Sequence, residues 1–175
     1  MPTHQRPSMK LIRLLLMGCL IVCTTSILSA DVFEQHTSQY LRQVAETSKG
    51  VTEITLSDLH QLQPLSNTET TPMVVIKTSE GQWTKAAMTW AFRKTETGLT
   101  PILTIERFVT YRDDLSDVTA ASDENIMLFS GFAYDFDIGQ VVPAKDGGDL
   151  VFTAENKQKS IQLLGNAKLW GVDGS

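Results

Sequence analysis

Residues 133–150, AYDFDIGQVVPAKDGGDL, set four aspartates, Asp135, Asp137, Asp146 and Asp149, in one turn-rich stretch. Carboxylates this concentrated either face bulk water or gather round a hard cation, because calcium takes about six to eight oxygen ligands at roughly 2.3–2.6 Å. Phe132, Tyr134, Phe136 and Ile138 alternate with Ala133, Asp135 and Asp137, a period of two that predicts a strand. On such a strand Asp135 and Asp137 leave the same face about 6–7 Å apart, where like charges repel unless water or a cation separates them.

The stretch partly resembles an EF-hand-type calcium loop, with Asp135, Asp137 and Asp146 at its first, third and twelfth positions. It departs from that pattern at Gly139 and Gln140, is interrupted by Pro143, and closes on Asp where the loop uses the longer Glu. A strand also precedes it where the EF-hand has a helix. The expectation is therefore a solvated hairpin turned by Gly139 and Gly147-Gly148. Asp135, Asp137, Asp146 and Asp149 stand as the metal-ligand candidates, and calcium as the one cofactor they could hold.

Other chemistry is scarce. His36 and His60 are the histidines beyond the first thirty residues, and neither lies in a zinc-ligand spacing. LFSGF around Ser130 lacks the first glycine of a nucleophile elbow and continues as a strand where the elbow enters a helix. Paired carboxylates acting from the acidic 113–149 region would make a hydrolase, the alternative from the enzyme class. Among the aromatic residues, Trp90 and Tyr134 share strand faces with Met88, Phe92 and Phe136 and read as core. Trp83 and Trp170, beside turns, are the candidates for an exposed carbohydrate-binding surface.

The elements that must position these residues begin after an export signal. Arg6, Lys10 and Arg13 precede an apolar run from Leu14 to Leu28 that ends at Ser29-Ala30. The run falls short of the roughly 20 residues a membrane-spanning helix wants, so cleavage is preferred to an uncleaved anchor. LMGC at 16–19 resembles a bacterial lipoprotein box, but Cys19 reads better as a small residue of the apolar run. Cys19 and Cys23 both lie in this segment, so residues 31–175 contain neither a disulfide nor a thiolate. Removing three of the fifteen basic residues and none of the twenty acidic ones takes the formal net charge from −5 to −8. A chain of that sign is a poor partner for nucleic acid. Charge is also segregated: 77–112 has six Lys/Arg against three Glu, and 113–149 has nine Asp/Glu against one Lys. The simplest consequence of attraction would be neighbouring segments, but charge runs in globular proteins usually need no partner, so solvated faces are the preferred reading.

Phe33, Thr37, Tyr40, Leu41 and Val44 at helical spacing predict one helix over 32–48. A short strand at 51–56 and a helical turn capped by Ser57 follow, then a polar linker bearing Pro64 and Pro72. From Met73 the period becomes two, predicting strands in 73–79, 82–96, 102–112, 126–138, 149–155 and 160–172, with 113–125 as an acidic loop or short helix. In 82–96, Ala86, Met88, Trp90 and Phe92 share a face; in 102–112, Leu103, Ile105, Val109 and Tyr111 do.

The fold class expected is mainly β: one domain over 31–175, an antiparallel sandwich or open barrel of about six to seven strands with one N-terminal helix, behind a signal peptide at 1–30. The function expected is that of a non-enzymatic binding or structural module of a bacterial envelope, periplasmic or secreted. Its partners would be a carbohydrate or an envelope protein, and a membrane only if the signal stays uncleaved. The alternatives are the carboxylate-dependent hydrolase and a calcium-stabilised sugar-binding module.

Overall fold

A long β-meander dominates the computed structural model, which describes residues 31–62, 71–96, 98–112, 117–155 and 158–172. Residues 1–30, expected to be an export signal, the centre of the polar linker and the start of the acidic segment lie outside the described residues. Strands β2 (Met73–Lys77), β3 (Trp83–Thr95), β4 (Gly98–Tyr111) and β5 (Thr119–Phe129) run antiparallel in sequence order, and β10 (Lys168–Gly171) returns to flank β2. The second sheet contains β1 (Glu53–Thr55), β6 (Phe132–Asp135), β7 (Gln140–Pro143), β8 (Leu150–Glu155) and β9 (Gln158–Leu163), in the spatial order β1-β9-β8-β6-β7. The chain is thus mainly β, two five-stranded antiparallel sheets packed as a sandwich.

Ten strands among the described residues replace the six to seven expected, for local reasons. Ser130-Gly131 and Gly165-Asn166 interrupt what read as continuous runs, and Gly131 and Gly165 have φ of 87° and 57°, values that favour glycine. Strand β5 occupies most of the segment expected to be an acidic loop or short helix. It is an edge strand with few buried residues, so its sequence has no apolar alternation to betray it. Strand β7 is short and mostly exposed, and it was hidden in the turn-rich stretch.

One apolar layer lies between the sheets: Val74, Ile76, Ala86, Met88, Leu103, Ile105 and Phe108 of the first meet Tyr134, Phe136, Leu150, Phe152 and Ile161 of the second. Phe108, Tyr134 and Phe136 pack edge to face, with centroids 5.0–5.6 Å apart. Ala86, Met88 and Trp90 pack toward this layer, as their alternation predicts. The face assigned to β4 needs correction beyond Ile105. Ala87 pairs with Arg107 but Met88 with Ile105, so Glu106 bulges out of register. The bulge turns Phe108 and Thr110 inward and sends Val109 and Tyr111 to the outer face.

That outer face carries a second layer, with Phe33 and Leu41 of the N-terminal helices over Met73, Val75, Trp83, Tyr111 and Trp170. The single helix expected over 32–48 is two, α1 (Val32–Gln35) and α2 (Ser38–Thr47). The break follows from tertiary partners. The Lys85 ammonium donates to the Phe33 carbonyl at 2.6 Å, the Tyr111 hydroxyl donates to that of His36 at 3.3 Å, and Asp117 accepts from the Ser38 amide at 2.8 Å. A third helix, α3 (Leu56–Gln61), is capped by Thr55 and Asp58 in a reciprocal capping box, two residues before the expected Ser57. No helix among the described residues is long and apolar enough to cross a membrane.

Candidate functional site

A cleft of about 650 Å³ opens where two turns flank one end of the first sheet. The turn between β2 and β3 closes through Thr78, whose amide donates to the Gln82 carbonyl at 2.9 Å and whose hydroxyl accepts from the Gln82 amide at 2.9 Å. Gly81, at φ 95°, makes the reversal affordable in backbone terms. The turn between β9 and β10 closes with the Ala167 amide on the Leu164 carbonyl at 3.0 Å. Thr52, Ser79, Glu80 and Asn166 contribute polar groups to the cleft, Lys77 and Lys168 contribute cations, and Trp83 and Trp170 contribute indoles.

The two tryptophans singled out from the sequence therefore meet, with ring centroids 5.7 Å apart at 38°. The exposed aromatic surface expected of them is not what they form, because each is only 7% accessible. Helix α2 lies over this face of the sheet, and the flat sides of the rings are taken. Arg42 and Lys77 sit 5.7 and 5.5 Å from the Trp83 centroid. A Cβ on Gly50 would come within 2.6 Å of the Trp170 ring, and the Trp170 Nε1 donates to the Ser48 carbonyl at 3.2 Å. What the indoles offer is a rigid wall. Trp90, expected in the core, is half-buried beside it, with Lys159 over its ring at 5.1 Å.

Of the four aspartates, Asp135, Asp137 and Asp149 converge, with one carboxylate oxygen from each within 4.8 Å of the others. Asp146 stands apart, exposed on a 3-10 turn after β7. The expected solvated hairpin holds for Asp146 and fails for Asp149, which is fully buried. Its carboxylate accepts from the Ser79 amide at 2.6 Å and the Phe136 amide at 2.8 Å, tying the β2–β3 turn of one sheet to the β6–β7 turn of the other. Asp135 accepts from the Asp137 and Ile138 amides at 3.0 and 3.3 Å, an Asx turn that starts the β6–β7 reversal.

Burial, then the Asp149 charge, pushes the Asp137 carboxyl up to about 7. Burial raises Asp149 as well, against the two backbone donors that favour its ionised form. For calcium the donor set is thin. Asp149 and Asp135 already spend lone pairs on four backbone amides, and Asp137 Oδ1 is the one buried side-chain oxygen of the cluster without a partner.

Two smaller hollows, of about 280 and 310 Å³, lie beside Trp170 and beside Arg107, and neither they nor the large cleft is lined by Asp135, Asp137 or Asp149. His36 stacks on Tyr40 at 4.0 Å, with burial holding its pKa below the usual histidine value, and His60 is exposed at the end of α3. Ser130, in the β5–β6 turn, has its Oγ accepting from the Ala154 amide at 2.9 Å. Nothing local marks Lys77, Lys168 or Asn166 as cleft residues, since only the pairing of β2 with the distant β10 brings them together. Comparison with protein-family models, with curated proteins and with solved structures finds no match to this chain.

Proposed function

We propose that this chain is an exported, non-enzymatic binding module of a bacterial envelope, and that it takes a small saccharide-type ligand in the cleft between the β2–β3 and β9–β10 turns. The observation that carries this reading is the convergence of Trp83 of β3 and Trp170 of β10 on one cleft of about 650 Å³. That volume falls in the range of small-molecule sites, and an apolar wall with a few convergent hydroxyls, amides and charges is how such sites fix orientation. Export is supported by the basic flank and apolar run of residues 6–28 and by the absence of cysteine from 31–175.

Filling the cleft tests the reading. Asn166 is exposed in its wall, so Asn166→Trp should leave the melting temperature within a degree or two and abolish retention on a panel of immobilised glycans. Retention unchanged in the folded variant would move the ligand elsewhere. Intact-mass measurement of the exported species should give a chain starting near Asp31. A full-length chain in the membrane fraction would favour the anchor, and a diacylglycerol adduct on Cys19 the lipoprotein.

One observation favours the hydrolase, namely a carboxyl with a pKa of about 7, Asp137, beside the buried Asp149. Against it, Asp149 is sealed by the Ser79 and Phe136 amides and neither acid lines a cleft described above. Turnover of a chromogenic glycoside that disappears in Asp137→Asn would establish the hydrolase in place of the binding module.

A further inference from the structure

We infer that the ligand of this cleft is anionic, a saccharide bearing carboxylate or sulfate groups that seat between Lys77 and Lys168. The inference rests on the cleft reading and adds the charge of what enters it. Lys168 pairs directly with Lys77 across β10 and β2, and Lys77 pairs with Trp83 across β3, so the three side chains form one row on the outer face of the sheet. Like charges directly opposed across an antiparallel pair are destabilising. The juxtaposition is more pointed in a chain with twenty acidic and fifteen basic residues, where carboxylate partners are plentiful.

Among the described residues neither lysine forms an ion pair. Lys77 lies over the Trp83 ring, 5.5 Å from its centroid, with no carboxylate partner among the described residues. Both line the cleft, and Lys168 is exposed. Two unpaired ammonium groups on adjacent strands match an anionic group with several acceptor oxygens. Thr52, Ser79 and Asn166, in the same wall, offer neutral partners to sugar hydroxyls. Glu80 is the one carboxylate among the lining residues, and it should disfavour anions that extend toward the β2–β3 turn.

The test is calorimetric titration of residues 31–175 with digalacturonate, with a sulfated N-acetylglucosamine, with neutral cellobiose and with inorganic phosphate. The expectation is that one of the two acidic saccharides binds at least tenfold more tightly than cellobiose, and which one does separates carboxylate from sulfate recognition. Lys168→Gln should weaken that binding about tenfold, the scale of one charge-assisted hydrogen bond. Glu80→Gln should tighten it, and raising sodium chloride from 50 to 500 mM should weaken it. Equal binding of cellobiose with indifference to Lys168→Gln overturns the anionic ligand and leaves the cleft reading standing. Phosphate binding as tightly as the acidic saccharides overturns the saccharide. Failure of every probe to bind overturns both.

Discussion

Asp137 and Asp149 show how the same residue type takes different roles according to what surrounds it. Asp149 keeps two backbone donors from two sheets, whereas Asp137 Oδ1 is buried without a partner. The Asp137 carboxyl is raised from 3.8 to about 7, so between those pH values the folded chain binds a proton that the unfolded chain has lost. Stability contributed by that proton is fully present below 3.8 and is lost as pH rises through about 7. Asp137→Asn should therefore flatten the pH dependence of the melting temperature over this window and stabilise the chain at pH 8 by about 1–2 kcal/mol, allowing for solvent at the partly exposed carboxylate. A variant less stable than the parent at pH 8 would mean that Asp137 is ionised and holds a favourable contact. Millimolar calcium should leave the melting temperature of the parent unchanged. A site filled to 100 times its dissociation constant would add about 2.7 kcal/mol, several degrees in a domain of this size.

At the scale of elements, the N-terminal helices are held by charge brought into an apolar layer. Lys85 is fully buried on β3, 4.6 Å from the Phe33 ring centroid and bonded to the Phe33 carbonyl, with burial lowering its pKa. Beside it Arg107 of β4 grips both oxygens of Asp31, the residue that caps α1. Lys85→Met keeps most of the volume and removes the donor, so hydrogen exchange should accelerate in 31–47 while β8 and β9 keep their protection. Uniform acceleration across both sheets would make Lys85 a support of the whole core. Residues whose neighbours in sequence share their environment were legible beforehand, as with Ala86, Met88 and Trp90 on one face of β3. The Glu106 bulge was not, because it depends on pairing with Ala87 and Met88 and inverts every face after it. Nor was the cover over Trp83 and Trp170, since a turn beside a tryptophan says nothing about a helix arriving from forty residues away. The convergence of three aspartates was half legible. Asp135 and Asp137 share a local turn, but Asp149 joins them only through the Ser79 and Phe136 amides.

For the molecule as a whole, helices pack on one face of the first sheet and the second sheet on the other, giving it two apolar layers. The basic and acidic segments are neighbours where β4 pairs with β5, which sets Arg107 opposite Glu124. What this arrangement leaves open is the end of the first sheet where β2, β3 and β10 meet their turns, and there the cleft stands with its two indoles and two lysines. The chain's three tryptophans allow that claim to be read directly, since Trp83 and Trp170 line the cleft and Trp90 packs toward the inner layer. In a spectrum of the indole N–H groups of residues 31–175, titration with digalacturonate should shift the Trp83 and Trp170 resonances together and leave that of Trp90 in place. Movement of Trp90 alone, or no movement of the cleft pair on saturation with a ligand that calorimetry shows to bind, would contradict the account.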